Sequence, residues 1–213
     1  MSHTLHRRGT AENLHGDFVL FAMSAKGINE VDSNARLRSF LEIVRQFQPV
    51  NLGDMKTGNR FITAESNILA NAQDTSIVHA VFDRKEKLVG ALRALAEADL
   101  GVSVIVSGLF NEVHECCQQA GLQPHTEETS LGVWGKTERL PEEEILQFTT
   151  MCGHGQIAFD LVKQVILDIK LGRKTVQQGA EELAKPCQCG VFNPVRAAQL
   201  LDEVICLWGV RNL

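Results

Sequence analysis

The stretch IVHAVFDRKEKLVGALRALAEADLGVSVIV, residues 77–106, carries two apolar, largely β-branched runs with a segment of helical period between them. Ile77 to Phe82 and Val102 to Val106 predict strands. Leu88, Leu92 and Leu95 fall at four- and three-residue steps, which places them on one face of a helix. Asp83, with Glu86 three residues later, is close to a capping box and marks that helix's start. Only Asp99-Leu100-Gly101 separates the helix from the second strand, a tight connection typical of α/β units.

Towards the N-terminus the same grammar recurs. Asp17-Phe18-Val19-Leu20-Phe21-Ala22-Met23 is an apolar run of strand length, closed by Ser24-Ala25-Lys26-Gly27. From Ser33, residues Leu37, Phe40, Leu41, Val44 and Phe47 keep a helical step until Pro49 stops it. The intervening residues 50–76 are polar and turn-rich and read as a loop or lid, with Phe61-Ile62-Thr63 as a short strand. Beyond residue 106, Leu109, Val113, Cys116 and Ala120 mark a helix capped by Gly121, and Ser130 to Trp134 is a last strand candidate. This order predicts a two-layer α+β sandwich of ferredoxin-like type over residues 17–137, with a small doubly wound sheet as the alternative. Residues 1–16 are polar and read as an arm that frays unless docked.

Residues 138–213 read as a helical subdomain. Pro141-Glu142-Glu143-Glu144 puts proline and acids at a helix start, where the dipole favours them. Ile157, Ala158, Leu161, Val162, Val165 and Ile169 form an apolar stripe ended by Gly172. Thr175 with Gln178 is a capping box, and Asn193-Pro194 is an N-cap followed by proline at the first helical position. Val195, Ala198, Leu201, Val204, Ile205 and Trp208 give the last helix its inward face.

The whole chain has 213 residues, 44% of them hydrophobic and 22% charged, the composition of a globule able to bury a core. A net charge of -5 argues against a nucleic-acid partner, because phosphate binding draws on Lys and Arg density. No apolar run is long enough to span a membrane and the N-terminus is too polar for a signal peptide, so a cytoplasmic protein is expected. Six cysteines stand against no tyrosine. In a reducing compartment they imply metal or cluster ligation, a redox pair, a nucleophile or burial rather than a disulfide framework.

Two motifs concentrate that chemistry: Met151-Cys152-Gly153-His154-Gly155 and Pro186-Cys187-Gln188-Cys189-Gly190. Both are expected in loops directly before helices, where free N–H groups and the dipole lower a thiol pKa, while the glycines let backbone close around an ion or anion. A hairpin of the intervening helices would bring the loops together. Cys152, His154, Cys187 and Cys189 would satisfy tetrahedral zinc. The three thiolates alone would suit a [4Fe-4S] cluster with one iron open to substrate and His154 as catalytic acid. Cys187 and Cys189 could instead act as a redox pair, or all three could be small core residues.

The remaining candidates are weaker. Cys116 and Cys117 point about 100° apart on a helix and one of them reads as core, and Cys206 reads as packing on the last helix. Asp54-Met55-Lys56-Thr57-Gly58-Asn59 has the groups of an anion loop without the spacing of a P-loop, and an exposed turn is the plainer reading. Lys26 follows the first strand, His125 and Lys136 flank the last, and Arg196 sits in a first helical turn where a cation gains from an anionic partner. Lys26, Lys56 and Arg196 therefore mark an entry for a small anionic substrate. The competing expectation is a non-catalytic ligand- or partner-binding protein with structural cysteines.

Overall fold

The computed structural model describes residues 3–208; residues 1–2 of the expected arm and 209–213 of the expected helical subdomain lie outside them. β1 (Phe18–Met23) leads to α2 (Ser33–Val44), which follows a four-residue α1 (Ala11–Leu14) in the N-terminal segment. The chain continues through β2 (Asn51–Asp54), β3 (Gly58–Asn59), α3 (Glu65–Ala70), β4 (Ile77–Phe82), α4 (Lys85–Ala98), β5 (Ser103–Ser107) and α5 (Phe110–Gln119). The strands form one sheet in the order β3-β2-β4-β1-β5. Every pairing is antiparallel, with Leu20 opposite both Ala80 of β4 and Val106 of β5. Apart from the short β3 on the edge, this is the βαββαβ order of the ferredoxin-like sandwich; the doubly wound alternative, which needs parallel strands, is not formed.

Alternation along β1 explains why its sequence is apolar throughout. Phe18, Leu20 and Ala22 face a core shared with Leu37, Phe40 and Leu41 of α2 and Leu88 and Leu92 of α4. Val19 and Phe21 face the other way, into a core built with the C-terminal helices α6 (Glu143–Cys152), α7 (Phe159–Lys170), α8 (Val176–Ala184) and α9 (Pro194–Trp208). The sandwich is thus closed on its second face by the helical subdomain, giving three layers. Each fully buried Phe or Leu in these two clusters contributes about 1.5–3 kcal/mol of transfer free energy.

Several local expectations change. The polar stretch after residue 50 is the hairpin of β2 and β3, and α3 lies in the part of 50–76 that shows no period. Phe61-Ile62-Thr63 is a turn, and the strand precedes it. Ser130 to Trp134 forms no strand: Leu131 is 85% and Trp134 83% exposed, so these side chains gain nothing from extended pairing. Arg84 takes the N-cap position of α4 with no side-chain cap, because Asp83 is engaged by Lys87 Nζ at 2.7 Å. The capping box of Thr175 and Gln178 forms in both directions, and Asn193 Oδ1 accepts from the N–H groups of Val195 and Arg196 at 3.1 Å each.

The N-terminal segment is docked. Arg7 donates to Asp17 and to the carbonyls of Met151 and Val191, and Arg8 N donates to Thr150 Oγ1 at 2.9 Å. Asp17, at the start of β1, also receives Arg196 Nη1 at 3.0 Å and Asn193 Nδ2 at 3.0 Å. Burial raises the Asp17 carboxyl, and the two guanidinium groups reverse this and hold it below its ordinary value.

Candidate functional site

Cys152 is the last residue of α6, and Gly153, with φ 70°, caps that helix. The expectation of a helix start is overturned for this residue: carbonyl groups, not N–H groups, are left over at its end. Cys187 and Cys189 lie in the loop between α8 and α9, ahead of the N-cap Asn193, whose side chain already takes the first free N–H groups of α9. The thiols are served instead by loop backbone. Backbone at His154 and Gln156 lowers the Cys152 thiol, backbone at Phe192 lowers Cys187 and backbone at Val191 lowers Cys189, each against the effect of burial.

The two motifs meet. Cys187 Sγ is 3.9 Å from Cys189 Sγ and Cys189 Sγ is 3.7 Å from His154 Nδ1, and Cys152 and Cys187 are near enough for each thiol to shift the titration of the other. Gln156 joins the loops, its Oε1 accepting from Gln188 N at 3.2 Å and from Cys152 Sγ at 3.4 Å. All three cysteines are buried, whereas His154 is exposed. The contacts link the donors end to end, from Cys152 through Cys187 and Cys189 to His154. Among the described residues no three or more His, Cys, Asp and Glu side chains form a group arranged to hold a metal ion.

Comparison with models of protein families, with curated proteins and with solved structures finds no match.

Protonation follows the direction of the thiol chain. The neighbouring Cys187 thiol and burial push Cys152 well above the ordinary thiol range. Cys187 is lowered by the bond from Cys152, but its own bond to Cys189 and burial outweigh this and push it up to about 12. Cys189, receiving the bond from Cys187, is held below its ordinary value despite burial. Of the three loop thiols, Cys189 is the one lowered and the one beside the imidazole.

The seat of this loop is the β2–β3 hairpin, whose role the polar sequence concealed. Asn59 Nδ2 donates to the carbonyls of Ala184 (3.1 Å), Lys185 (3.2 Å) and Cys187 (2.8 Å), and Asn51 Nδ2 donates to Phe192 O at 2.8 Å. Gly53 lets the loop lie on β2: a Cβ there would sit 2.7 Å from Cys189 O. His79 pairs with Gly53 in register and so lies on the same face of the sheet, fully buried beside Phe21. Of the residues that support the site, Asn51 and Gln156 were not singled out by sequence, while Gly53 and Asn59 lay in or beside the stretch read as an anion loop or exposed turn and hold the cysteine loop instead.

The three cations expected at an anion entry are not brought together. Arg196 is 1% exposed and spends its charge on Asp17, so the anion favoured at that helix start is the chain's own carboxylate. Lys26 follows the far end of β1, a strand of six residues and thus about 20 Å long. Lys56, in the β2–β3 turn, is exposed and hydrogen-bonds Gln73 Oε1 at 2.9 Å and Thr75 Oγ1. Asp54 of the same stretch is buried and accepts from Ser76 Oγ at 2.8 Å and Lys56 N at 3.0 Å, so its carboxylate is satisfied internally. His125 and Lys136 are exposed in the irregular segment between α5 and α6. Cys116 and Cys117 are both buried in the core under α4, where burial raises their pKa. Cys206, expected as packing, is exposed. Among the described residues no helix is long and apolar enough to cross a membrane.

Proposed function

We propose that the chain is a metal-binding protein whose centre, zinc or an iron–sulfur cluster, is held by thiolates of Cys152, Cys187 and Cys189, with His154 as fourth ligand or as acid beside it. The observation that supports this reading is that Cys187, Cys189 and His154, from two loops separated by α7 and α8, stand in contact, with Cys152 beside Cys187. Backbone near each of these sulfurs works against the upward shift that burial imposes on its thiol. Such surroundings stabilise thiolate over thiol, the form that ligates metals. The test is metal and sulfide analysis of chain purified anaerobically, repeated after incubation with zinc and with iron plus sulfide. Bound metal that disappears in Cys187→Ser supports the reading; all thiols freely titratable after unfolding, with no metal retained under any loading, overturns it.

A second reading rests on Cys187 and Cys189 alone: a thiol pair at 3.9 Å, with the Cys189 thiol held low in pKa, has the makings of a redox couple. Mild oxidation would then remove two hydrogens as the disulfide forms and reduce the oxidant, and Cys189→Ser would abolish that mass change. An anionic substrate acting at the centre belongs to the same proposal, but Lys26, Lys56 and Arg196 do not supply its binding site.

A further inference from the structure

The two edges of the sheet are unlike. At one edge β3 is two buried residues, and its Asn59 holds the loop between α8 and α9. At the other, none of the five residues of β5 is buried, whereas β2 is buried throughout. One side of β5 is laddered to β1, and among the described residues nothing else hydrogen-bonds its main chain. Residues 121–140 are exposed throughout, and Gly132 and Gly135, with φ of 103° and 96°, turn that segment out of the extended conformation that could pair with β5. An open edge is ordinarily blunted by charge, proline or a bulge. Ser103-Val104-Ile105-Val106-Ser107 has no charge and no proline, and its register with β1 is unbroken.

That strand reads the same in both directions. An antiparallel two-fold centred on Ile105 therefore sets like against like: Ile105 against Ile105 of the partner subunit, Val104 against Val106 of the partner subunit, and Ser103 against Ser107 of the partner subunit. We infer that the occupant of this edge is a second copy of the chain, paired β5 to β5 about a two-fold axis so that the two five-stranded sheets become one. Val104 and Val106 stand opposite Ala22 and Leu20 of β1, so both lie on the α2 and α4 face, and the pairing sets four valines side by side across the axis. Val104, 38% exposed, gains the cover it lacks in the single chain. Asn29 Nδ2 donates to Gly101 O at 2.7 Å and holds the β1–α2 loop at the start of the strand, where Ile28 and Val31 are exposed. The two-fold carries that start to the far end of the partner strand, just before the exposed Phe110 of the partner subunit. Such a contact uses the same edge of both copies and the β3 edge is covered, so assembly closes at the dimer and does not run on as a fibre.

The experiment is sedimentation equilibrium of the full-length reduced chain over a concentration series, joined to cross-linking across the axis. The parent chain should dimerise reversibly. Val104→Lys should weaken dimerisation by at least about 10-fold, with urea unfolding checking that the subunit stays folded. In a Cys206→Ser background, Ile105→Cys should give a disulfide-linked dimer on oxidation with diamide, because opposed Cα atoms of an antiparallel pair lie about 4.5–5.5 Å apart, within disulfide reach. Ser103→Cys in the same background should not, since the two copies of that position stand four residues out of register, about 14 Å apart. A chain that stays monomeric up to about 1 mM overturns the inference, whether or not the edge takes up a strand of some other protein. A dimer that withstands Val104→Lys, or that links through Ser103→Cys and not through Ile105→Cys, is built on another surface and overturns it equally.

Discussion

Gly53→Ala tests whether the cysteine loop is seated on the sheet by backbone contact. The added methyl would meet Cys189 O at 2.7 Å, its carbonyl carbon at 2.9 Å and Gly190 Cα at 3.0 Å. Ordinary contact begins near 3.4 Å, so the loop must withdraw from β2 by about 0.7 Å. Gly190 resists on its side, since its φ of 77° and its approach to Gly53 N leave no slack in the turn. Overpacking of this kind costs about 1–3 kcal/mol. With a denaturant slope of about 2–3 kcal/mol per molar, the urea midpoint should fall by roughly 0.3–1.5 M with the slope unchanged. A second readout reports on the site itself. In the metal-free reduced chain, five of the six cysteines are buried and Cys206 is exposed, so one thiol should react rapidly with a thiol reagent under native conditions. In Gly53→Ala the loop thiols Cys187 and Cys189 should join it. An unchanged midpoint together with a single fast thiol would refute the proposition that close packing of β2 on the loop sets the geometry of the site.

Asp17→Asn should cost about 3–5 kcal/mol, because it leaves the buried Arg196 and its neighbour Arg7 without their counter-charge; thermal unfolding measures it, and a shift of a degree or less would sink the assignment. The same carboxylate gives a pH dependence: its folded pKa lies below the unfolded value, so its contribution is fully present above the unfolded value of about 3.9 and is lost as pH falls through the folded one. The difference in stability between parent and Asp17→Asn should therefore shrink below about pH 4 and be constant above about pH 5. Asn59→Ala strips the carbonyls of Ala184, Lys185 and Cys187 of a buried donor and should cost about 1–3 kcal/mol in urea unfolding, with a larger effect than Thr175→Ala on the native reactivity of the Cys187 and Cys189 thiols. Thr175→Ala removes only the capping box of α8 and should cost about 0.5–2 kcal/mol with the thiol reactivity of the native chain unchanged.

What was legible in the sequence is what local rules control. The largely apolar runs of β1 and β4, buried on both faces, and the leucine spacing of α4 need only local pattern, and the ferredoxin-like order followed from their sequence along the chain. The β2–β3 hairpin escaped because its residues answer to a distant loop. Asn51, Gly53 and Asn59 have poor strand propensity, and they are held in the sheet by bonds and contacts to residues 184–192. Ser130 to Trp134 fails in the opposite sense: its apolar residues suit a strand, but no neighbouring strand pairs with them. At the site, residue types and glycine spacing singled out Cys152, His154, Cys187 and Cys189. Where α6 ends could not be read from them, since Met151 and Cys152 are apolar enough to continue the buried face of that helix. Arg196 was read as seeking an anion, which it does; the anion lies on β1, far away in sequence.

The division of labour in this arrangement has an energetic consequence. All four donors belong to the C-terminal helices and their loops, while the groups that fix the loop, Asn51, Gly53 and Asn59, belong to the sheet. Val19, Phe21 and Val81 form one wall of the core those helices close, so the loop can keep its thiol and imidazole contacts only while the third layer stays docked. An ion that binds the docked state alone stabilises it by RT ln(1 + [L]/Kd), about 2.7 kcal/mol at a hundredfold excess over Kd. On the proposed metal-binding reading, the same linkage makes any change that weakens docking lower ion affinity by an equal free energy, although it touches none of the cysteines. Asn59 is the point where this reciprocity is concentrated: it donates no electron pair to an ion, yet it holds the carbonyl of Cys187, and the position of one sulfur follows from it.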